Sequence, residues 1–257
     1  MRQLYPAAFL ILIIFSLVSC APPTPLPPLP TATPLPPTAT PTATEIWFPP
    51  TPTFTPPATR AAIRSTVETF SPEYGTLLFE DEFTDPSIWR LSQSPVGSAA
   101  FGVNELTIAI RQPRGYLYSE RVIPDLRNFY AEIIASPSIC RGEDEYGLLF
   151  RITPAYDFYR FSLTCDGQTR LDKYYRGAAS SPQPLNYSSE VPPGAPSETK
   201  IGVWIMENEM RFFINDVFQF SVMDPSITSG LIGVFARAFG EDPVTVNFST
   251  LKVFQAE

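Results

Sequence analysis

From about Tyr74 to the C-terminus, short runs rich in β-branched and aromatic residues recur between Pro, Gly, Asn and Asp breaks, and no long stretch repeats apolar residues at helical spacing. Leu106–Ile110, Phe129–Ala135, Gly147–Ile152, Phe158–Leu163, Ile201–Met206, Met210–Ile214, Val217–Val222, Leu231–Ala236 and Val244–Phe254 each have the length and composition of a strand. About ten to thirteen such strands in one unit predict an all-β fold, a two-sheet antiparallel sandwich of jelly-roll type. Asn215-Asp216 lies between two apolar runs, and both residues tolerate the positive φ of a two-residue hairpin turn. Tyr146–Ile152 and Phe158–Thr164 pattern as a second hairpin, turning around Pro154–Asp157. The Pro- and Ser-rich stretch Gly177–Ser197 reads as a long loop between strands.

Ahead of this domain, residues 74–257, the pattern changes twice. Residues 1–19 carry Arg2 and then an apolar run from about Ala7 to Val18, short of the ~20 residues that a membrane span needs. Leu17-Val18-Ser19-Cys20 resembles the lipobox of bacterial lipoproteins. That resemblance implies cleavage before Cys20, acylation of its thiol and a lipid bilayer as partner. The expected location is extracytoplasmic, anchored by lipid to the cell membrane or outer envelope of a bacterium. Residues 20–73 continue as a Pro/Thr-rich linker, in runs such as Thr33-Pro34-Leu35-Pro36-Pro37-Thr38. Such a chain forms neither helix nor ladder and favours extended polyproline II at ~3.1 Å per residue, a reach on the order of 100 Å.

Composition narrows the chemistry. Lys and Arg number 18 against 26 Asp and Glu, a net charge of -8, and no basic run is segregated, so nucleic acid is not an expected partner. The chain has no histidine, which removes Ser-His-Asp and Cys-His activation and imidazole-rich metal sites. With Cys20 acylated, Cys140 and Cys165 remain, near the open end of the second hairpin. A disulfide between them closes a loop of about 25 residues and contributes ~3 kcal/mol on the chain-entropy model.

The run Met210–Phe218 with its Asn215-Asp216 turn, then Gly230-Leu231-Ile232-Gly233-Val234-Phe235-Ala236, then the closing strand Val246–Val253 together resemble the concanavalin A-like lectin and glucanase sandwich. The likeness is to its LamG and 3-keto-disaccharide hydrolase-like branches. Phe79-Glu80-Asp81-Glu82-Phe83 followed by Ile88-Trp89 resembles the opening of that domain, and Tyr159-Arg160-Phe161-Ser162-Leu163 its central strand. The resemblance implies a jelly roll and a carbohydrate or glycan as partner; it implies a fold more than a chemistry.

Active glucanases of this fold carry a Glu-x-Asp-x-x-Glu strand, and this sequence has none. No catalytic residue is assigned. Glu80-Asp81-Glu82 reads as an edge strand with a structural role, and Glu143-Asp144-Glu145 as a solvated loop. Calcium is a possible cofactor, with Asp81 and Asp85 as oxygen ligands. Sugar rings offer apolar C–H faces that stack on aromatic residues, which makes Tyr116, Tyr118, Tyr159, Tyr174 and Tyr175 the binding candidates, with Arg151, Arg160 and Asp172 as their polar companions. Trp89 and Trp204 read as core. The leading reading is a surface-anchored lipoprotein whose sandwich binds carbohydrate or glycan without catalysis. The alternatives are a glycoside hydrolase of the 3-keto-disaccharide hydrolase-like family and a structural or protein-interaction domain.

Overall fold

The computed structural model describes residues 71–72 and 74–257. The expected leader, Cys20 as the expected acylation site and almost all of the Pro/Thr-rich linker lie outside the described residues. Within them the strands run β1 (Tyr74–Asp81), β2 (Ser92–Gln93), β3 (Gly97–Phe101), β4 (Leu106–Ile110), β5 (Tyr116–Glu120), β6 (Phe129–Ile139), β7 (Glu145–Ile152) and β8 (Phe158–Thr164). They continue as β9 (Gln168–Tyr175), β10 (Ala178–Tyr187), β11 (Thr199–Met206), β12 (Glu209–Ile214), β13 (Val217–Met223), β14 (Leu231–Arg237) and β15 (Val244–Ala256). The nine strands expected from apolar patterning all form, each within a few residues of its expected ends, because alternation fixes which positions can be buried. Asn215 and Asp216 both take positive φ, 49° and 66°, in the turn between β12 and β13.

The strands form two antiparallel sheets. One has nine strands in the order β13-β12-β11-β6-β15-β4-β3-β2, with β1 also paired to β15; the other has six, in the order β10-β9-β8-β7-β14-β5. The main core lies between them. Leu148, Phe150, Tyr159 and Phe161 from the six-stranded sheet meet Ile133, Ile201, Phe212 and Val246 from the nine-stranded one. Cys140 follows β6 and Cys165 follows β8, and their disulfide, with Cα atoms 5.9 Å apart, joins the two sheets.

Three expectations change. Ala178–Tyr187, expected as loop, is an edge strand paired to β9; Pro182 and Pro184 sit where the register slips, at positions where an edge needs no donated hydrogen bond. Asp144 and Glu145, expected in a solvated loop, are buried. The Asp144 carboxylate accepts from the backbone N–H of Arg141 and of Phe239, both at 2.9 Å, and so ties the entry of β7 to the segment after β14. Trp204 is buried, but on the outer face of the nine-stranded sheet rather than between the sheets. There it packs with Tyr130 and Phe213, and Arg211 lies 4.4 Å above its ring. Trp89 is in the main core and donates to Asp81 at 3.0 Å.

Candidate functional site

Side chains of a strand alternate between faces, so a six-stranded sheet with one face in the core presents every second residue on the other. Three rows of cross-strand neighbours build that outer face. Asp172, Arg160, Leu149, Gly233 and Glu120 form the first, in β9, β8, β7, β14 and β5. Arg170, Ser162, Gly147, Phe235 and Tyr118 form the second. Thr164, Glu145, Arg237 and Tyr116 form the third.

The rows divide the face into an aromatic part and a charged part. Leu149 and Phe235 are buried as its floor, with Tyr116, Tyr118 and Phe158 packed against them. Gly147 leaves room for the Phe235 ring, whose edge would lie 3.4 Å from a Cβ there. Tyr116, Tyr118, Tyr156 and Phe158 enclose a cavity of about 70 Å³ over Leu149. Phe158 stacks on Tyr174 at 4.6 Å. The guanidinium of Arg160 lies 5.2 Å from the Tyr174 ring and 5.9 Å from that of Tyr116, and joins the two parts.

In the charged part Arg160 donates to Asp172 at 2.6 Å, and Asp172 also accepts from the Ser181 hydroxyl at 2.5 Å. Burial works against the charge of Arg160, but the Asp172 hydrogen bond and the nearby Glu145 carboxylate hold its pKa above the ordinary value. Glu145 meets Arg170 through one oxygen. Its other oxygen lies 3.8 Å from Arg160 and 3.7 Å from Arg237, beyond hydrogen-bond reach of either, and has no partner. Nε of Arg160 and the Tyr116 hydroxyl are also buried without a partner. Burial pushes the Tyr116 phenol well above its usual pKa. Arg170 Nε lies 3.0 Å from Asp172 but out of line for a hydrogen bond.

Tyr116, Tyr118, Arg160, Asp172 and Tyr174 thus share one face. Tyr159, Tyr175 and Arg151 are elsewhere. Tyr159 and Tyr175 are the chain neighbours of Arg160 and Tyr174 and therefore point inward: Tyr159 stacks on Phe150 at 5.4 Å in the core, and Tyr175 packs against that core. Arg151 has φ 51° at a register irregularity, which turns its side chain to the end of the sandwich. Its guanidinium holds the carbonyls of Ile227 and Glu207, each at 2.6 Å, and that of Arg127 at 3.2 Å, a structural clasp between loops.

Asp81 and Asp85, expected as calcium ligands, are engaged separately. Asp81 accepts from Phe83 N–H, Trp89 Nε1 and Arg121 Nε at 2.9–3.0 Å. Asp85 caps the single turn Pro86–Ile88 through Ser87, which holds its carboxyl below the ordinary value. Among the described residues no three His, Cys, Asp or Glu side chains are grouped to hold a metal. Sequence reasoning missed Glu145, Arg170 and Arg237. Pairing β7 with β8 by the expected hairpin would have placed Glu145 on the same face as Arg160, because both are outward by parity.

No protein-family model and no curated protein sequence matches the chain. Solved structures do match in fold. A Bacillus subtilis protein described as having a galectin-like fold aligns at 15% identity over 72% of this chain and 98% of its own, with a TM-score of 0.57. A carbohydrate-binding module of Bacillus subtilis aligns at 14% identity over 65% of this chain and 96% of its own, with a TM-score of 0.54. The catalytic domain of an endo-1,3-β-glucanase, a laminarinase of Thermotoga petrophila, aligns at 10% identity over 72% and 99%, with a TM-score of 0.53. The chain has the concanavalin-like jelly-roll fold that these proteins share.

Proposed function

We propose that this protein is a lipid-anchored surface lipoprotein that binds carbohydrate across the outer face of its six-stranded sheet, without catalysis. The observation that carries the reading is the juxtaposition on that face of aromatic rings and fixed polar groups. Tyr116, Tyr118, Phe158 and Tyr174 supply apolar planes, and the Arg160–Asp172 pair stands beside them. A sugar ring needs both: a surface for its C–H face and rigid donors and acceptors for its hydroxyls. A further depression of about 420 Å³, lined by Arg90, Glu120 and Tyr156, lies beside the aromatic cavity and shares Tyr156 with it.

Binding is favoured over hydrolysis by the state of the carboxylates. A glycosidase needs two carboxyl groups about 5–9 Å apart across a cleft, one of them free to give up a proton. On this face Glu145, Asp172 and Glu120 are each engaged by a guanidinium: Arg170, Arg160 and, at 2.9 Å, Arg90. Fold neighbours that include a carbohydrate-binding module support the same reading. The Cys20 anchor and the Pro/Thr-rich linker would hold the domain away from the bilayer, within reach of extracellular polymers.

Affinity electrophoresis of the intact chain through gels containing soluble polysaccharides tests this. At least one polymer should retard the protein, and Tyr118→Ala should weaken retardation about tenfold. Free mobility in every gel would overturn the reading, and release of reducing sugar from a retarding polymer would replace it with the hydrolase.

A further inference from the structure

We infer that the charged part of the six-stranded sheet is a subsite for an acidic sugar, whose carboxylate is taken by Arg237 and Arg170 while a neighbouring hydroxyl donates to Glu145. The inference rests on the carbohydrate reading above and specifies its ligand. A depression of about 240 Å³ is lined by Arg160, Arg170, Asp172, Tyr174 and Arg237, with Ser181 on its β10 side. This is below the roughly 300 Å³ at which sites for drug-sized ligands begin, and suits one sugar residue.

Charge accounting favours an anion. Three guanidinium groups, Arg160, Arg170 and Arg237, face two carboxylates, Glu145 and Asp172, which leaves one positive charge in excess. Arg160 is committed to Asp172 at 2.6 Å and Arg170 to Glu145. Arg237 has the excess: among the described residues its one ion-pair partner is the Glu145 oxygen 3.7 Å away, and its side chain is 36% exposed at the mouth of the depression. Phe239 lies under it, 5.5 Å from the ring centre. A fork-shaped, partly desolvated cation with spare donors takes a carboxylate in preference to a neutral hydroxyl.

The second half of the subsite is an acceptor. The unpartnered Glu145 oxygen belongs to a side chain only 3% exposed, and a buried carboxylate oxygen without a donor is costly. The oxygen is covered by its neighbours, so a sugar hydroxyl donates to it once Arg237, 3.7 Å away and 36% exposed, turns outward onto the ligand carboxylate. Carboxylate and ring hydroxyls on one residue are what a hexuronate presents, and in a 4-linked polymer its 2- and 3-hydroxyls stay free.

The test uses the intact chain and a panel of acidic polymers, polygalacturonate, alginate and hyaluronate, each beside its methyl-esterified or carboxyl-reduced counterpart, together with neutral glucans. The chain is acidic overall, so retention of a polyanion reports a specific contact. We expect at least one acidic polymer to bind about tenfold or more above its neutralised counterpart, and Arg237→Gln to abolish that difference. Arg141→Gln, which removes an exposed cation paired with Asp242, should leave the difference intact. Equal binding of acidic and neutralised forms, or binding of neutral glucans alone that Tyr118→Ala removes, would overturn the acidic subsite and leave the carbohydrate reading standing. No binding to any polymer would overturn both.

Discussion

Arg160 and Asp172 face each other across β8 and β9 and share a hydrogen bond of 2.6 Å at the boundary between the aromatic and charged parts of the outer face. Both side chains are more than nine-tenths buried. A buried pair is costly to break from one side, because the remaining charge keeps its desolvation penalty. Asp172→Asn should therefore lower unfolding free energy by about 3 kcal/mol, read from the urea midpoint at unchanged slope. A shift under about 0.5 kcal/mol would show that solvent reaches Arg160 freely.

Gly147 crosses the face at its centre, where a Cβ would collide with the carbonyl oxygen of Phe161 on the paired strand. Gly147→Ala should destabilise the domain by about 3 kcal/mol, since two bonded strands would have to separate locally. Thermal unfolding followed by near-ultraviolet circular dichroism would report it.

Reduction of the Cys140–Cys165 bond, whose ends are 25 positions apart in the chain, should cost about 3 kcal/mol. The Cys140→Ser, Cys165→Ser double variant should match the reduced wild-type chain in denaturant unfolding, because the cross-link acts on the unfolded ensemble.

Alkaline pH offers a separate reading of the core. Burial pushes the Tyr146 phenol from 10.0 up to about 12 and raises Tyr116, Tyr130 and Tyr159 further. The folded state keeps these phenols protonated after the unfolded chain has ionised them. Their contribution is fully present below pH 10 and is lost as pH rises through 12. Unfolding free energy should fall over that window, and tyrosinate absorbance at these positions should appear together with unfolding. Ionisation of all eleven tyrosines near pH 10 in a still-folded chain would contradict the burial described.

The sandwich was legible from apolar alternation because each strand has a face it must bury, and Asn215-Asp216 marked its turn by local chemistry alone. The candidate site was half legible. Tyr159–Arg160 and Tyr174–Tyr175 are consecutive, so strand parity admits one of each pair to any face, and the hairpin pairing then selects Arg160 and Tyr174. Arg151 escaped parity because a single residue at φ 51° reverses it, and sequence gives no sign of that at a non-glycine position. Glu145 and Arg237 lie 92 positions apart in the chain, in β7 and β14, and meet only through sheet order, which no local pattern encodes. Trp204 was legible as buried but not as to which side, since the nine-stranded sheet carries apolar residues on both faces.

β15 is the last of the described strands, and over its 13 residues it pairs with β6 and β4 and with β1. β1 and the middle of the nine-stranded sheet are therefore joined by the strand that follows all the others. A nascent chain lacking β15 has the two halves of that sheet without the strand that unites them. Completion of the sheet must wait for β15, so its assembly draws on strands from the whole domain, and a deletion of Val244–Ala256 would cost the entire sheet rather than one edge.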